Sequence, residues 1–165
     1  MGSAASALTK HSGVPETTEV STATYDLTDP QALAAFLTAA DIRLVRAAYL
    51  YKLRAENRKL PRRQEAEEEF LVTHEEVKVW ADEASKVPVQ RAMICSISHC
   101  WETREHPDPC GYQLQQMVNT ISLYEAAYVS ELWIFYDYVS LFQFQRETEE
   151  EEQSFRSSMA DMHVM

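Results

Sequence analysis

The sequence predicts an α/β domain, a short parallel sheet with flanking helices, preceded by a helical N-terminal region. Three observations carry that prediction. Residues 92–97, Ala-Met-Ile-Cys-Ser-Ile, are a short apolar run that enters a polar cluster, as a buried strand does. Residues 112–129 then trace a helical stripe through Leu114, Met117, Val118, Ile121, Tyr124 and Tyr128. Residues 132–141 are dense in aromatic and β-branched side chains, which marks a second strand. A strand, helix, strand unit of this kind places its strands parallel and adjacent through a right-handed crossover, so both carboxyl ends reach one edge of the sheet.

Taken in chain order, residues 1–27 are rich in Ser, Thr, Ala and Gly without sustained periodicity and read as a flexible leader. Residues 28–88 form the helical region. Asp29 can cap a helix, Pro30 suits its first turn, and Leu33, Phe36, Leu37, Leu44, Val45, Ala48 and Tyr49 recur at helical spacing. This predicts a long helix to about Asn57, with a break near residues 38–41, ended by Pro61. Residues 62–69 are a charged linker or a solvated turn of helix. A capping box, Thr73 with Glu76, opens the next helix, which carries Val77, Trp80, Ala81 and Ala84 on one face and stops at Pro88. Residues 89–165 hold the α/β segment. Its last helix starts near Glu149 with Thr148 and Glu151 as a second capping box, four glutamates at its positive end, and Phe155, Met159 and Met162 turned inward. Two parallel strands alone make a poor sheet, so either a further segment completes it or the N-terminal helices cover it.

Composition narrows the functional classes. The chain of 165 residues is 45% apolar and 10% aromatic, enough for one domain with a core. With 26 acidic and 15 basic residues its net charge is -11, which repels phosphate backbones and argues against nucleic acid as a partner. Cys95, Cys100 and Cys110 are too few for a disulfide framework, which points to a reducing, cytoplasmic compartment. No apolar run is long enough to cross a bilayer. Met1-Gly2-Ser3-Ala4-Ala5-Ser6 matches the N-myristoylation pattern at Gly2, although so short a match also arises by accident. An acylated Gly2 would give peripheral membrane contact, and would need a second signal to hold. The basic residues between Lys52 and Arg63 are either such a signal or the solvated end of a helix.

The candidate site lies beyond the strand ends, where open α/β sheets bind ligands. The first strand runs into Ser98, His99, Cys100, Trp101, Glu102, Thr103 and Arg104, a dense set of hydrogen-bonding groups. The second contains one acid, Asp137, and a carboxylate in such an apolar run must be paired, hydrogen-bonded or at the strand tip. Asp137 either faces a ligand or caps a neighbouring loop or helix N-terminus. Cys95, His99, Cys100, His106 and Cys110 cluster in sequence, yet no C-x-x-C pair occurs and one cysteine sits in a strand, so no metal site is expected. A Cys100 nucleophile beside His99 is disfavoured, because adjacent strand residues face opposite ways. With only Gly2, Gly13 and Gly111 in the chain, a glycine-rich phosphate loop is excluded.

Ile97-Ser98-His99-Cys100-Trp101, His106-Pro107-Asp108-Pro109, and Leu132-Trp133-Ile134-Phe135-Tyr136-Asp137-Tyr138-Val139-Ser140-Leu141 with Gln143 or Gln145 resemble the heterokaryon-incompatibility type of domain. Met159 or Met162 would take the place of the methionine near the end of that family's following helix. The resemblance covers residues 92–165. It implies a fold like that of Toll/interleukin-1-receptor domains, incomplete here, and use in homotypic assembly, with cleavage of nicotinamide from NAD in some members. Two departures stand out. Phe135-Tyr136 separates Ile134 from Asp137, and the glutamate that the NAD-cleaving relatives carry after their third strand would fall beyond Met165.

The expected function is therefore an intracellular signalling or assembly module, non-catalytic as this chain, with protein partners or self-association. Its candidate ligand-binding residues are Ser98, His99, Trp101, Arg104 and Asp137, with NAD as the cofactor that the resemblance implies. Two alternatives belong to other classes: an NAD glycohydrolase completed by sequence beyond Met165, and a helical adaptor without a ligand site.

Overall fold

The computed structural model describes residues 26–84, 92–127 and 131–161, with the side chains of 126, 127 and 161 left aside. Gly2, Pro88, Tyr128, Val129 and Met162 lie outside that range, as does all but the end of the expected leader.

Helix α1, Pro30–Ala39, starts as its sequence dictates. The Asp29 carboxylate accepts the backbone N–H groups of Gln31 and Ala32, and Pro30 occupies the first turn. The helix stops at Asp41, whose φ of 49° is a left-handed conformation that Asp tolerates better than most residues. Arg63 donates to the Asp41 carboxylate at 3.0 Å and to its carbonyl, and Ser154 donates to the other carboxylate oxygen at 2.5 Å. The corner is thus pinned from two distant parts of the chain.

The chain does not resume the helix directly, as the continuous periodicity had predicted. Val45–Arg46 form a short strand, β1, before helix α2, Ala47–Ala55. Short apolar runs fit either period, and here pairing with the sheet decides. Asn57, φ 52°, ends α2 with a left-handed residue. The Arg58 N–H reaches Leu53 O at 2.8 Å and the Asn57 N–H reaches Arg54 O at 3.1 Å, the two bonds of a Schellman cap.

The charged stretch that follows winds into two 3-10 turns, Arg63–Glu65 and Glu68–Phe70. It is less solvated than its composition implies. Arg63 is 7% exposed and stacks on the Phe142 ring at 4.1 Å, while Phe70 stacks on Tyr49 at 4.8 Å. Helix α3, His74–Ala84, opens with the predicted capping box: Glu76 N–H bonds Thr73 Oγ1 at 3.1 Å and Thr73 N–H bonds Glu76 Oε2 at 2.8 Å.

Strands β2, Ala92–Ser96, and β3, Glu131–Phe135, flank helix α4, Tyr112–Ala127, and pair in parallel as predicted. The third strand is β1, antiparallel to β3, giving the order β1-β3-β2. Alternation along β3 divides the core between the two faces of the sheet. Leu132, Ile134 and Tyr136 pack with α2 and α4, whereas Trp133 and Phe135 pack with α1 and α3. The second strand is shorter than its apolar run. It ends at Phe135, and Asp137–Ser140 turn into a short helix, α5.

Helix α6, Glu149–Asp161, closes the described chain. Thr148 Oγ1 caps it through Glu151 N–H at 3.1 Å, and Glu151 reaches back to the Glu147 N–H at 2.6 Å. Its inward face is not the apolar one expected. Ser158, fully buried, donates to Ala40 O at 2.6 Å, and Phe155 is half-buried under Arg146 at 4.1 Å. Met159 is 47% exposed. Hydrogen bonds to the Ala40–Asp41 corner, rather than an apolar stripe, dock this helix. No helix among the described residues is long and apolar enough to cross a membrane.

Candidate ligand-binding site

Because β2 and β3 run parallel, the loop after β2 and the turn after β3 emerge on the same sheet edge. The loop of residues 97–111 is held by its own bonds: Glu102 N–H to Pro107 O at 3.0 Å, and a reciprocal pair between Thr103 and His106 at 2.9 and 3.0 Å. His106 fastens it to the body. The Asp108 N–H donates to His106 Nδ1 at 2.8 Å, so the ring proton sits on Nε2, which donates to Leu60 O at 3.0 Å. Asp108, 1% exposed, caps α4 through Leu114 N–H at 2.8 Å, while its Oδ1 has no partner among the described residues.

Within this frame His99 lies nearly parallel to the Tyr136 ring, 14° and 4.2 Å between centroids, with Nε2 2.8 Å from the phenol oxygen. Gln113 sits 3.4 Å from the same oxygen and uses its amide on Cys100 O and Pro107 O, both at 3.0 Å. Burial pushes the Tyr136 phenol far above its usual range, and the carboxylates of Asp137, Asp108 and Glu102 push it further. Tyr136 is therefore a neutral hydroxyl and not a base.

Asp137 is the first residue of α5, two residues past the end of β3. Its Oδ1 accepts the Tyr138 N–H at 2.6 Å and lies 4.0 Å from His99 Nε2, and its Oδ2 accepts Trp101 Nε1 at 3.3 Å. Gln143 secures the turn from below, donating to Asp137 O at 3.0 Å and Leu141 O at 3.1 Å. Asp137 thus joins the two strand ends through Trp101 and His99.

Beside this network is a cavity of about 440 Å³. Trp101, set edge-on to Tyr138 at 5.4 Å, and the exposed Phe144 give it aromatic walls. Arg62 and Arg104 give it positive charge, offset in part by Glu105. Arg62 is already bound to Glu65 and to Phe144 O. Arg104 has no ion pair among the described residues and is exposed.

Of the residues that the sequence singled out, His99, Trp101 and Asp137 meet in one network, and Arg104 joins Trp101 in the cavity. Ser98 is exposed and makes no hydrogen bond among the described residues. Cys100 contributes its carbonyl, while the neighbouring His99 ring is committed to Tyr136. Tyr136, Tyr138, Gln113, Arg62 and Phe144 were not foreseen. The two tyrosines flank Asp137 directly, and their polar tips in an otherwise apolar run were the available signal. Among the described residues no three of His, Cys, Asp and Glu converge as a metal site would require.

Compared with protein-family models, with curated proteins and with solved structures, the chain matches none.

Proposed function

We propose that this chain is an intracellular signalling or assembly module, resembling heterokaryon-incompatibility-type domains, that holds a nucleotide-class ligand at the carboxyl ends of β2 and β3 without turning it over by itself. One observation carries the reading: an aromatic cavity opens where two parallel strands end, and the exposed Arg104 on its wall has no ion pair among the described residues. Planar π surfaces from Trp101, Tyr138 and Phe144 suit a base, and arginines suit phosphate.

The non-catalytic part rests on Asp137. Its carboxylate oxygens are already occupied by Tyr138 N–H and Trp101 Nε1, the arrangement of a brace between strand ends rather than of a base or nucleophile awaiting substrate. NAD is the first ligand to test, by calorimetric titration and by quenching of tryptophan emission, alongside an assay of nicotinamide release. Saturable binding without release, weakened at least ~10-fold in Arg104→Ala, is expected. Absence of binding removes the nucleotide reading, and turnover abolished by Asp137→Ala replaces the module with an enzyme.

A further inference from the structure

Among the described residues β2 is an edge strand, and no other described strand pairs with its open side. The Ile97 N–H bonds Phe135 O at 2.9 Å, and the parallel register from Ala92 to Ser96 makes Met93 and Cys95 its equivalents facing β3. By alternation the N–H and C=O groups of Ala92, Ile94 and Ser96 point away from the sheet. The Trp80 indole takes Ala92 O at 2.9 Å. Ile94 and Ser96 have no backbone partner on that side among the described residues, and only the Cys95 thiol, at 3.8 Å, approaches Ser96 O. Sheets guard such edges with lysine, proline or a bulge. Residues 92–97 contain no lysine and no proline, and their register with β3 is unbroken.

Next to the edge an apolar groove of about 500 Å³ runs between β2 and α4, lined by Met93, Cys95, Ile97, Thr120, Ile121 and Tyr124. None of its lining residues is charged, on a chain whose net charge is -11. Two copies of so acidic a chain repel each other over most approaches, and the lining of this groove adds no charge to that repulsion. An antiparallel pairing is also self-complementary, so the strip needs no second sequence to match it.

We infer that the open edge of β2 pairs antiparallel with β2 of a second copy, joining two sheets across a two-fold axis. This rests on the assembly half of the proposed function. Because Trp80 already occupies Ala92 O, the free register sets Ile94 opposite Ser96 of the second copy, and Ser96 opposite its Ile94. Each of these two pairs exchanges both backbone bonds. Cys95 then lies at the axis opposite its own twin in a non-hydrogen-bonded pair, where the α-carbons approach to about 4.5 Å, within the span of a disulfide.

Light scattering and sedimentation across micromolar concentrations should find a dimer. Ser96→Pro removes an outward N–H and should weaken dimerisation at least ~10-fold, with an unchanged urea midpoint at concentrations where both proteins are monomeric. Thr120→Arg, on an exposed helix position, should do the same by placing charge in the groove, and serves if the proline variant misfolds. In the Cys100→Ser/Cys110→Ser background, diamide takes two electrons and two protons from the facing thiols and should yield a covalent dimer that Cys95→Ser abolishes. A monomer at every concentration, a dimer indifferent to both substitutions, or a monomer whose Ile94 and Ser96 amides resist hydrogen exchange, because its own chain covers them, would each overturn the inference. NAD titration of Ser96→Pro separates the two readings: binding retained by a monomeric variant leaves the ligand site standing on its own.

Discussion

Replacing Arg63 by methionine tests the corner that joins α1, the linker and α6. Methionine keeps an unbranched apolar stem of similar reach but removes the guanidinium that lies over Phe142. The loss comprises two bonds to Asp41 and the stacking on Phe142 at 4.1 Å. Hydrogen bonds to charged groups contribute about 1.5–3 kcal/mol each, and a desolvated cation–π contact about 2. Against this stands the cost of burying the cation, several kcal/mol, and burial does depress the basicity of Arg63. Asp41 keeps Ser154 and is 39% exposed, so water replaces part of what it loses. The balance is a destabilisation of about 2–4 kcal/mol. Urea denaturation followed by tryptophan emission reads it as a midpoint lowered by about 1–2 M at an ordinary urea slope. A loss below about 0.5 kcal/mol, the range of unremarkable surface changes, would refute the idea that this pair holds the corner. A cycle with Asp41→Asn should return a coupling of at least about 1 kcal/mol.

Other outcomes are equally checkable. Asn57→Gly should be neutral or stabilising, because glycine adopts the left-handed cap freely, whereas Asn57→Ala should cost about 1 kcal/mol in the same denaturation experiment. Thr73→Ala should cost about 1 kcal/mol by removing the cap of α3. Hydrogen bonds from Lys52 to Glu67, and from Arg62 to Glu65, hold these carboxyls below their ordinary range in the folded state. The stability they contribute is therefore fully present above the unfolded carboxylate pKa of about 4.3, and is lost as pH falls through the lower folded values. A urea midpoint that stays level as the solution is acidified below that range would contradict these pairings. Tyr136→Phe should lower stability by about 1–3 kcal/mol in the same denaturation experiment by leaving His99 Nε2 without its phenol partner.

Local chemistry was legible wherever it acts within a few residues. Asp29 and Pro30, the Thr73–Glu76 box and the Thr148 cap all mark helix starts that the structure keeps. The parallel pairing of β2 and β3 followed from two apolar runs separated by a helix. What escaped was set by partners far along the chain. Val45 and Arg46 fit a helix by spacing, but a sheet of two strands lacks a neighbour and recruits them. Asp137 read as part of a strand because apolar residues continue past it, yet the strand ends at Phe135 and the same residues fill a short helix. Met159 read as core because helical periodicity ignores serine, although Ser154 and Ser158 make the docking bonds. At the candidate site, His99, Trp101 and Asp137 were visible as unusual groups beside apolar strands. Arg62 and Phe144 were not, because nothing local ties the linker to the segment after α5.

The central strand gives the molecule an order of events. Val45 and Arg46 are made well before the backbone they pair with, Ile134 and Trp133. Until then α1 can pack on α3 and α2 on α4, but the apolar side chains that meet β3 have no sheet to cover. Closing so distant a pair demands a long loop before it returns any energy, which slows folding and lengthens exposure. A nascent chain released short of β3 would leave those side chains uncovered. It is then a client for chaperones rather than a smaller version of the protein.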